Sequence, residues 1–262
     1  MSETFNPRRF RSTVPFYARY RLGYPDSLIA RVAEFVGLRT GDAVMDLGCG
    51  PGFLAVPFAK LGMSVVAVDP EPGMVNACRE ASAEAGVRVD VRQGSSFALP
   101  DGVGPFRLVT MGRSFHWMDR EATLKTLDRM VTRDGALAFF NDEHPRTAEN
   151  TWRRKLEEVA GGYGRHDAAH VRERRREGHR TVHSLLLESA FARVSGLSEF
   201  VRREITADEI VGRAFSLSAT SPQVLGERAP AFEAEMRKAL AELSVDGRFV
   251  EIAELSALVA RR

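Results

Sequence analysis

The stretch "VMDLGCGPG", Val44 to Gly52, decides the fold, because it sets three glycines at alternate positions directly behind a short apolar run. A run of this kind that gives way to a helical pattern reads as strand, tight loop and helix. The loop brings bare backbone N–H groups close to a ligand, since no Cβ stands between them. A dinucleotide is one candidate, and the spacing argues against it. Pro51 sits among Gly48, Gly50 and Gly52, whereas the dinucleotide fingerprint is G-x-G-x-x-G, whose third glycine packs helix on strand. Asp46, two residues ahead of Gly48, would repel a pyrophosphate and attract an ammonium group.

Working outward, the pattern up to about residue 143 alternates helical and strand signals, as in a parallel sheet covered on both faces. Asp26 follows Pro25 as a candidate cap for a helix whose Leu28, Ile29, Val32, Phe35 and Val36 form one stripe. Strands are predicted at Ala43 to Leu47, in "SVVAVD" ending at Asp69, at Val87 to Arg92, in "FRLVTM" and in "ALAFFND"; Asp119 caps a further helix. Asp69 lies seventeen residues past Gly52, where a carboxylate accepts both hydroxyls of a ribose. A ligand with a ribose and an ammonium but no phosphate is S-adenosylmethionine.

Composition shifts at Pro145. From Thr147 to about Ser189 the pattern is helical and strongly charged, with "RERRREGHR" in its middle, and it reads as a helical cap inserted between two strands. Two late strands, "VSGLSEFVRREI" and "FVEIAELSALVA", are separated by helices, one of them with Phe232, Met236, Leu240 and Leu243 on a face. The expected architecture is α/β: a Rossmann-like, mostly parallel sheet with an antiparallel last strand and an inserted helical cap. Its expected parts are an arm over the ligand at 1–25, a ligand-binding core at 26–144, the cap at 145–192, and the rest of the sheet with packing helices at 193–262.

Five stretches in order, "VMDLGCGPG", "VVAVDPEPGM", "RQGSSFALP", "FRLVTMGRSFHWMD" and "RDGALAFF", resemble the successive motifs of class I S-adenosylmethionine-dependent methyltransferases over roughly residues 10 to 143. The resemblance implies that Gly48, Cys49 and Gly50 pass beneath the methionine part of the cofactor, with Asp46 orienting the loop. It implies Asp69 on the ribose and Pro70 and Met74 against the adenine. Gly94, Ser95 and Ser96 stand where the family often has an acid touching the adenine amino group, so Ser95 leaves a weaker or backbone contact. Met111, Gly112 and Arg113 would offer carbonyls to the methionine ammonium. The segment "YARYRLGYP" resembles an arm folded over the cofactor, which makes Tyr17 and Tyr20 contacts and Arg21 the partner of the cofactor carboxylate, although Leu22 replaces the expected proline. Plain packing of the arm explains the tyrosines equally well.

The methyl acceptor is less determined. His116, in "SFHWMD", is the candidate general base, against the reading of a histidine that only shapes the pocket; Trp117 would wall it. Asp142, Glu143 and His144 fall at the end of the fifth strand, on the ligand-binding edge, where acids suit a cationic acceptor. Alternation on a strand turns only one of the two acids inward, and pairing with cap arginines such as Arg146 competes. Asp119 and Asp167 are outer acidic candidates. Arg172, Arg174, Arg175, Arg176 and Arg180 could instead recognise a carboxylate or phosphate, or form a solvated face. His166 with His170, and His179 with His183, have i,i+4 spacing but no accompanying cysteine, so no metal is expected.

The bounds agree with a cytoplasmic enzyme of small molecules. The chain has 262 residues, 44% of them hydrophobic, a formal charge of +2 and only four lysines. Cys49 and Cys78 are no disulfide framework, and no stretch of about eighteen apolar residues predicts a membrane span. A nucleic-acid partner is not expected, and the oligomeric state is not readable. The arm and "RSFHWMD" look like the trans-aconitate-like branch with its antibiotic-biosynthesis enzymes, and more distantly like gentamicin-type aminoglycoside N-methyltransferases. The expected function is therefore methyl transfer to a small molecule, with N-methylation of an amino sugar in aminoglycoside antibiotic biosynthesis as the specific form. The alternatives are O- or C-methylation of a polyketide or small carboxylic acid, RNA methylation through the arginine-rich cap, and a catalytically silent cofactor-binding module.

Overall fold

The computed structural model describes residues 11–100, 102–163 and 180–262. Seven strands form one sheet: β1 (Ala43–Leu47), β2 (Ser64–Asp69), β3 (Val89–Gln93), β4 (Phe106–Gly112), β5 (Val131–Glu143), β6 (Arg193–Thr206) and β7 (Arg248–Arg261). Their spatial order is β3-β2-β1-β4-β5-β7-β6, and β7 runs antiparallel to both β5 and β6. The order reverses between β1 and β4, so their carboxyl ends open a crevice, which is where open α/β sheets bind ligands. The expected mostly parallel sheet with an antiparallel last strand is the one observed.

Each face of the sheet is covered because the inner strands carry apolar side chains on both sides. Helices α1 (Val14–Tyr20), α2 (Asp26–Val36), α3 (Ala55–Lys60) and α4 (Pro72–Glu84) lie early in the chain, and α5 (Arg120–Met130) precedes β5. Leu28, Ile29, Val32 and Phe58 join Val44, Ala67 and Leu108 in one core. Met45, Leu47, Val109 and Met111 point the other way, into a second core with Leu124 and Leu127. Successive residues of β1 thus serve opposite faces, as the two-residue period of a strand requires. Asp119 caps α5 by accepting the Ala122 N–H at 3.0 Å, as predicted. Asp26 does not cap α2: Pro25 holds the cap position and Asp26 is the first helical residue.

Helix α6 (Thr151–Tyr163) does not stand apart as an inserted cap. Trp152, Leu156 and Val159 share a third core with α8 (Ala207–Phe215) and α10 (Ala229–Ala241), the short helices α7 (Val182–Leu187) and α9 (Pro222–Leu225) lying between. Ile210, Phe215, Phe232 and Met236 fill it, so the helical layer draws on segments either side of β6. Leu185 and Leu186 of α7 pack on the sheet instead. The packing therefore crosses the expected boundary at residue 192. Arg172, Arg174, Arg175, Arg176, His166, His170, His179 and Asp167 lie outside the described residues.

Helix α1 spans the two halves. Phe16 packs on Phe215 at 5.2 Å between ring centroids, and Ser12 Oγ accepts the Gln223 N–H. A Cβ at Gly212 would stand 2.3 Å from the Tyr20 ring, so only glycine lets arm and α8 meet this closely.

Candidate active site

At the carboxyl ends of β1 and β4 lies a small cleft, open to solvent on one side, whose free space is about 260 Å³ with that open solvent included. Tyr17, Tyr24, Asp46, Gly48, Gly50, Phe53 and Arg113 are among its lining residues. The loop of Gly48 (φ 74°), Gly50 (φ 53°) and Gly52 (φ 92°) is left-handed at each glycine, which other residues adopt only with strain. It is anchored from below, since Gly48 and Cys49 both donate their N–H to Val68 O, at 2.8 and 3.1 Å.

Two buried acids brace the glycine loop and the start of α3; Asp46 is among the residues lining the cleft and Asp69 stands behind the loop. Asp46, 1% exposed, accepts the Ala55 N–H at 3.1 Å and the Thr110 hydroxyl at 3.0 Å. Burial raises its pKa to about 7 against those two hydrogen bonds. Asp69 accepts the Gly50 N–H through one oxygen and the Glu71 N–H through the other, both at 2.9 Å. Burial again dominates and raises it to about 6. Beside it Glu71 caps α4 through the Gly73 N–H, while its second carboxylate oxygen is buried without a partner. Sequence reading passed over Glu71 and Thr110, although Glu71 stands in the quoted "VDPEPGM".

The arm closes the far side. Tyr17 stacks on Phe53 at 6.1 Å, and its ring is the nearest group, at 3.9 Å, to any side chain that Gly50 would carry. Tyr20 lies on α8 and is not among the lining residues. Arg21 donates from Nε to Ser216 Oγ at 2.8 Å and holds its guanidinium 5.2 Å above the Tyr17 ring.

After β4 the chain turns at Arg113, whose φ of 55° is left-handed. Its guanidinium donates to Asp142 Oδ1 at 2.9 Å and to Leu22 O at 3.0 Å. Asp142 is consequently not an acid offered to a cationic acceptor, as the sequence reading had it: burial would raise its pKa, but Arg113, Arg21 and His144 together hold it below the usual range. Glu143 is exposed, opposite Glu254 on β7. The His144 ring is buried and bonds Glu251 Oε1 through Nε2 at 2.6 Å, away from any acceptor role. Glu251 also pairs with Arg213 and, at 2.7 Å, with Arg203, so a buried ionic cluster joins β5, β7, β6 and α8. Its members lie too far apart in sequence for any local pattern to reveal them.

The other expected residues fall as follows. Pro70 and buried Met74 are at the start of α4, and Gly94, Ser95 and Ser96 follow β3, where Gly94 N–H bonds Asp69 O at 3.1 Å. Met111 is 1% exposed within the second core, so only its backbone can face a ligand; Gly112 lines the cleft. Exposed His116 has its ring 4.6 Å from that of Trp117, and neither residue is among those lining the cleft. Among the described residues no group of three or more His, Cys, Asp or Glu could hold a metal, and no helix is long and apolar enough to cross a membrane.

The sheet order, the glycine loop after β1 and the acid after β2 define a Rossmann-like methyltransferase fold. Residues 44–135 match the family model described as "Methyltransferase domain". A ubiquinone biosynthesis O-methyltransferase of Azorhizobium caulinodans is 44% identical over 97 residues, 34% of this chain and 37% of that protein. A candidate type II methyltransferase of Anaeromyxobacter dehalogenans superposes with a TM-score of 0.64 at 19% identity, over 93% of this chain and 98% of that one. The YcgJ protein of Bacillus subtilis superposes with a TM-score of 0.53 at 16% identity, over 91% of this chain and 100% of that one. The chain spans 37% to 62% of the length of the first curated relatives it matches.

Proposed function

We propose that the protein is an S-adenosylmethionine-dependent methyltransferase with a small-molecule acceptor. The observation that carries this reading is the bond from Gly50 N–H to Asp69: it puts a bare-backbone loop and a carboxylate side by side at the switch point of the sheet. The methyltransferase-domain match over 44–135 and the fold support it. The residues present fit the cofactor, since Asp69 keeps lone pairs for ribose hydroxyls and the unpartnered Glu71 oxygen is a second acceptor beside it.

S-adenosylmethionine supplies a methyl group on a sulfonium, which leaves readily. What remains for the chain is to hold an acceptor in line, about 3 Å from that methyl group, in a site closed to water. Gly48 to Gly50 form the floor, Asp46 favours the ammonium, and Tyr17 stacked on Phe53 bounds the cleft on the side of the arm. His116 is the general base of this reading, and its exposed ring lies against that of Trp117.

Within this activity, N-methylation of an amino sugar came from the resemblance to aminoglycoside N-methyltransferases, with the acids at the end of β5 favouring a cationic acceptor. Asp142 is spent on Arg113, and Glu143 is exposed. O- or C-methylation is therefore the preferred form, in keeping with the relative named as an O-methyltransferase. The test is incubation with methyl-deuterated S-adenosylmethionine and separate panels of aminoglycosides, phenols and small carboxylic acids, read by mass spectrometry. A labelled methyl on a phenol or acid is expected. A label on aminoglycosides alone restores the amino-sugar form, and failure to bind S-adenosylhomocysteine in calorimetry rejects the activity itself.

A further inference from the structure

Two buried polar atoms of cleft-lining residues have no hydrogen-bond partner in the protein: Arg113 Nε and the Tyr24 hydroxyl. The Arg113 side chain is 9% exposed and Tyr24 6%. A buried donor without an acceptor is costly, and in a cleft it marks where a ligand acceptor belongs. The remaining guanidinium edges are fixed. Asp142 and Leu22 O take the two terminal nitrogens, and the rings of Tyr24, Phe53 and Tyr17 stand 5.0, 5.6 and 5.8 Å from Cζ. Burial also raises the Tyr24 phenol pKa, so it stays a protonated donor.

Arg21 and Arg113 both act on Asp142 and hold its carboxyl below the usual range against the effect of burial. Arg21, the expected carboxylate partner, commits its Nε to Ser216.

We propose that Arg113 Nε and the Tyr24 hydroxyl form the carboxylate-anchoring site of the cleft. The proposal rests on the methyltransferase reading and differs from the expectation that Arg21 holds this role. The carboxylate belongs either to the amino-acid end of the cofactor or to the acceptor, and both present the same two acceptor oxygens to the same donors.

The test compares S-adenosylhomocysteine, which has the carboxylate, with 5′-methylthioadenosine, which lacks the amino-acid end. Calorimetry is run on the wild type, on Tyr24→Phe, and on Arg113→Gln combined with Asp142→Asn, which removes the ion pair as a unit and buries no lone charge. Expected is about a tenfold or greater loss for S-adenosylhomocysteine in the double variant, a smaller loss in Tyr24→Phe, and 5′-methylthioadenosine affinity within twofold of wild type in both. If both nucleosides keep wild-type affinity while methyl transfer to carboxylic acids is lost, the carboxylate is the acceptor's. Equal loss of both nucleosides, or no change in either binding or transfer, overturns the site. A wild-type protein that binds neither nucleoside overturns the methyltransferase reading itself.

Discussion

The Asp69 carboxylate accepts the N–H of Gly50 at 2.9 Å, so the acid that ends β2 fixes the loop that follows β1. Asp69→Ala removes this bond together with the one from Glu71 N–H, and frees the loop at its tightest point. Its expected effect is a loss of S-adenosylhomocysteine affinity of about tenfold or more, as for other hydrogen bonds to charged groups. Unchanged calorimetric affinity would contradict the placement of the ligand over this loop.

Gly48 and Gly50 separate folding from binding. A Cβ at Gly48 would lie 2.5 Å from Ser114 Cβ, whose hydroxyl donates to Leu47 O, whereas one at Gly50 meets nothing nearer than Tyr17 at 3.9 Å. Gly48→Ala is expected to lower the melting temperature by several degrees. Gly50→Val is expected to keep most of its stability apart from about 1–2 kcal/mol of left-handed backbone strain, yet to lose ligand binding. Thermal melts and calorimetry on the two variants, side by side, check the contrast.

Asp46 gives the protein a pH dependence of definite sign. Its pKa is raised to about 7 from 3.8, so between these values the folded chain binds more protons than the unfolded one and stability falls as pH rises. At about 1.4 kcal/mol per unit this amounts to at most about 4 kcal/mol by pH 8. Asp46→Asn lacks the term, so its stability relative to wild type should climb from pH 4 to 8 in chemical denaturation. A cationic ligand favours the ionised acid, and wild-type affinity should tighten over pH 6 to 8.

Glu251 is held below its ordinary carboxylate range, burial notwithstanding, by His144, Arg213 and Arg203. Glu251→Ala leaves the Arg213 guanidinium, 4% exposed, without its partner. A cost of about 3–5 kcal/mol is expected in urea denaturation, because a buried charge stripped of its counter-ion keeps its desolvation penalty. Acidification of the wild type should act in the same direction, since a lowered pKa supplies stability that is lost as pH falls towards it.

Much of this was legible because it is local. Asp46, the glycine loop and Asp69 follow from spacing along two adjacent strands, and the succession of strands and helices up to β5 follows from alternation. Asp142 was misread because its identity and strand position say nothing of Arg113, twenty-nine residues away. The His144–Glu251 contact spans 107 residues and involves a strand paired only in three dimensions. The third core was split in two by the same limit: the periodicity located α6, α8 and α10, but no pattern in a single helix states which neighbour its stripe will meet.

The seat of the arm on α8, with Tyr20 over Gly212, orders events in time as well as space. A ribosome makes residues 14–20 long before 207–215, so the glycine floor between β1 and α3 can be in place while the helix that positions its roof is still unmade. The contact between α1 and α8 can therefore form only after most of the chain has been made, whereas the contact of Tyr17 with Phe53 joins segments made early.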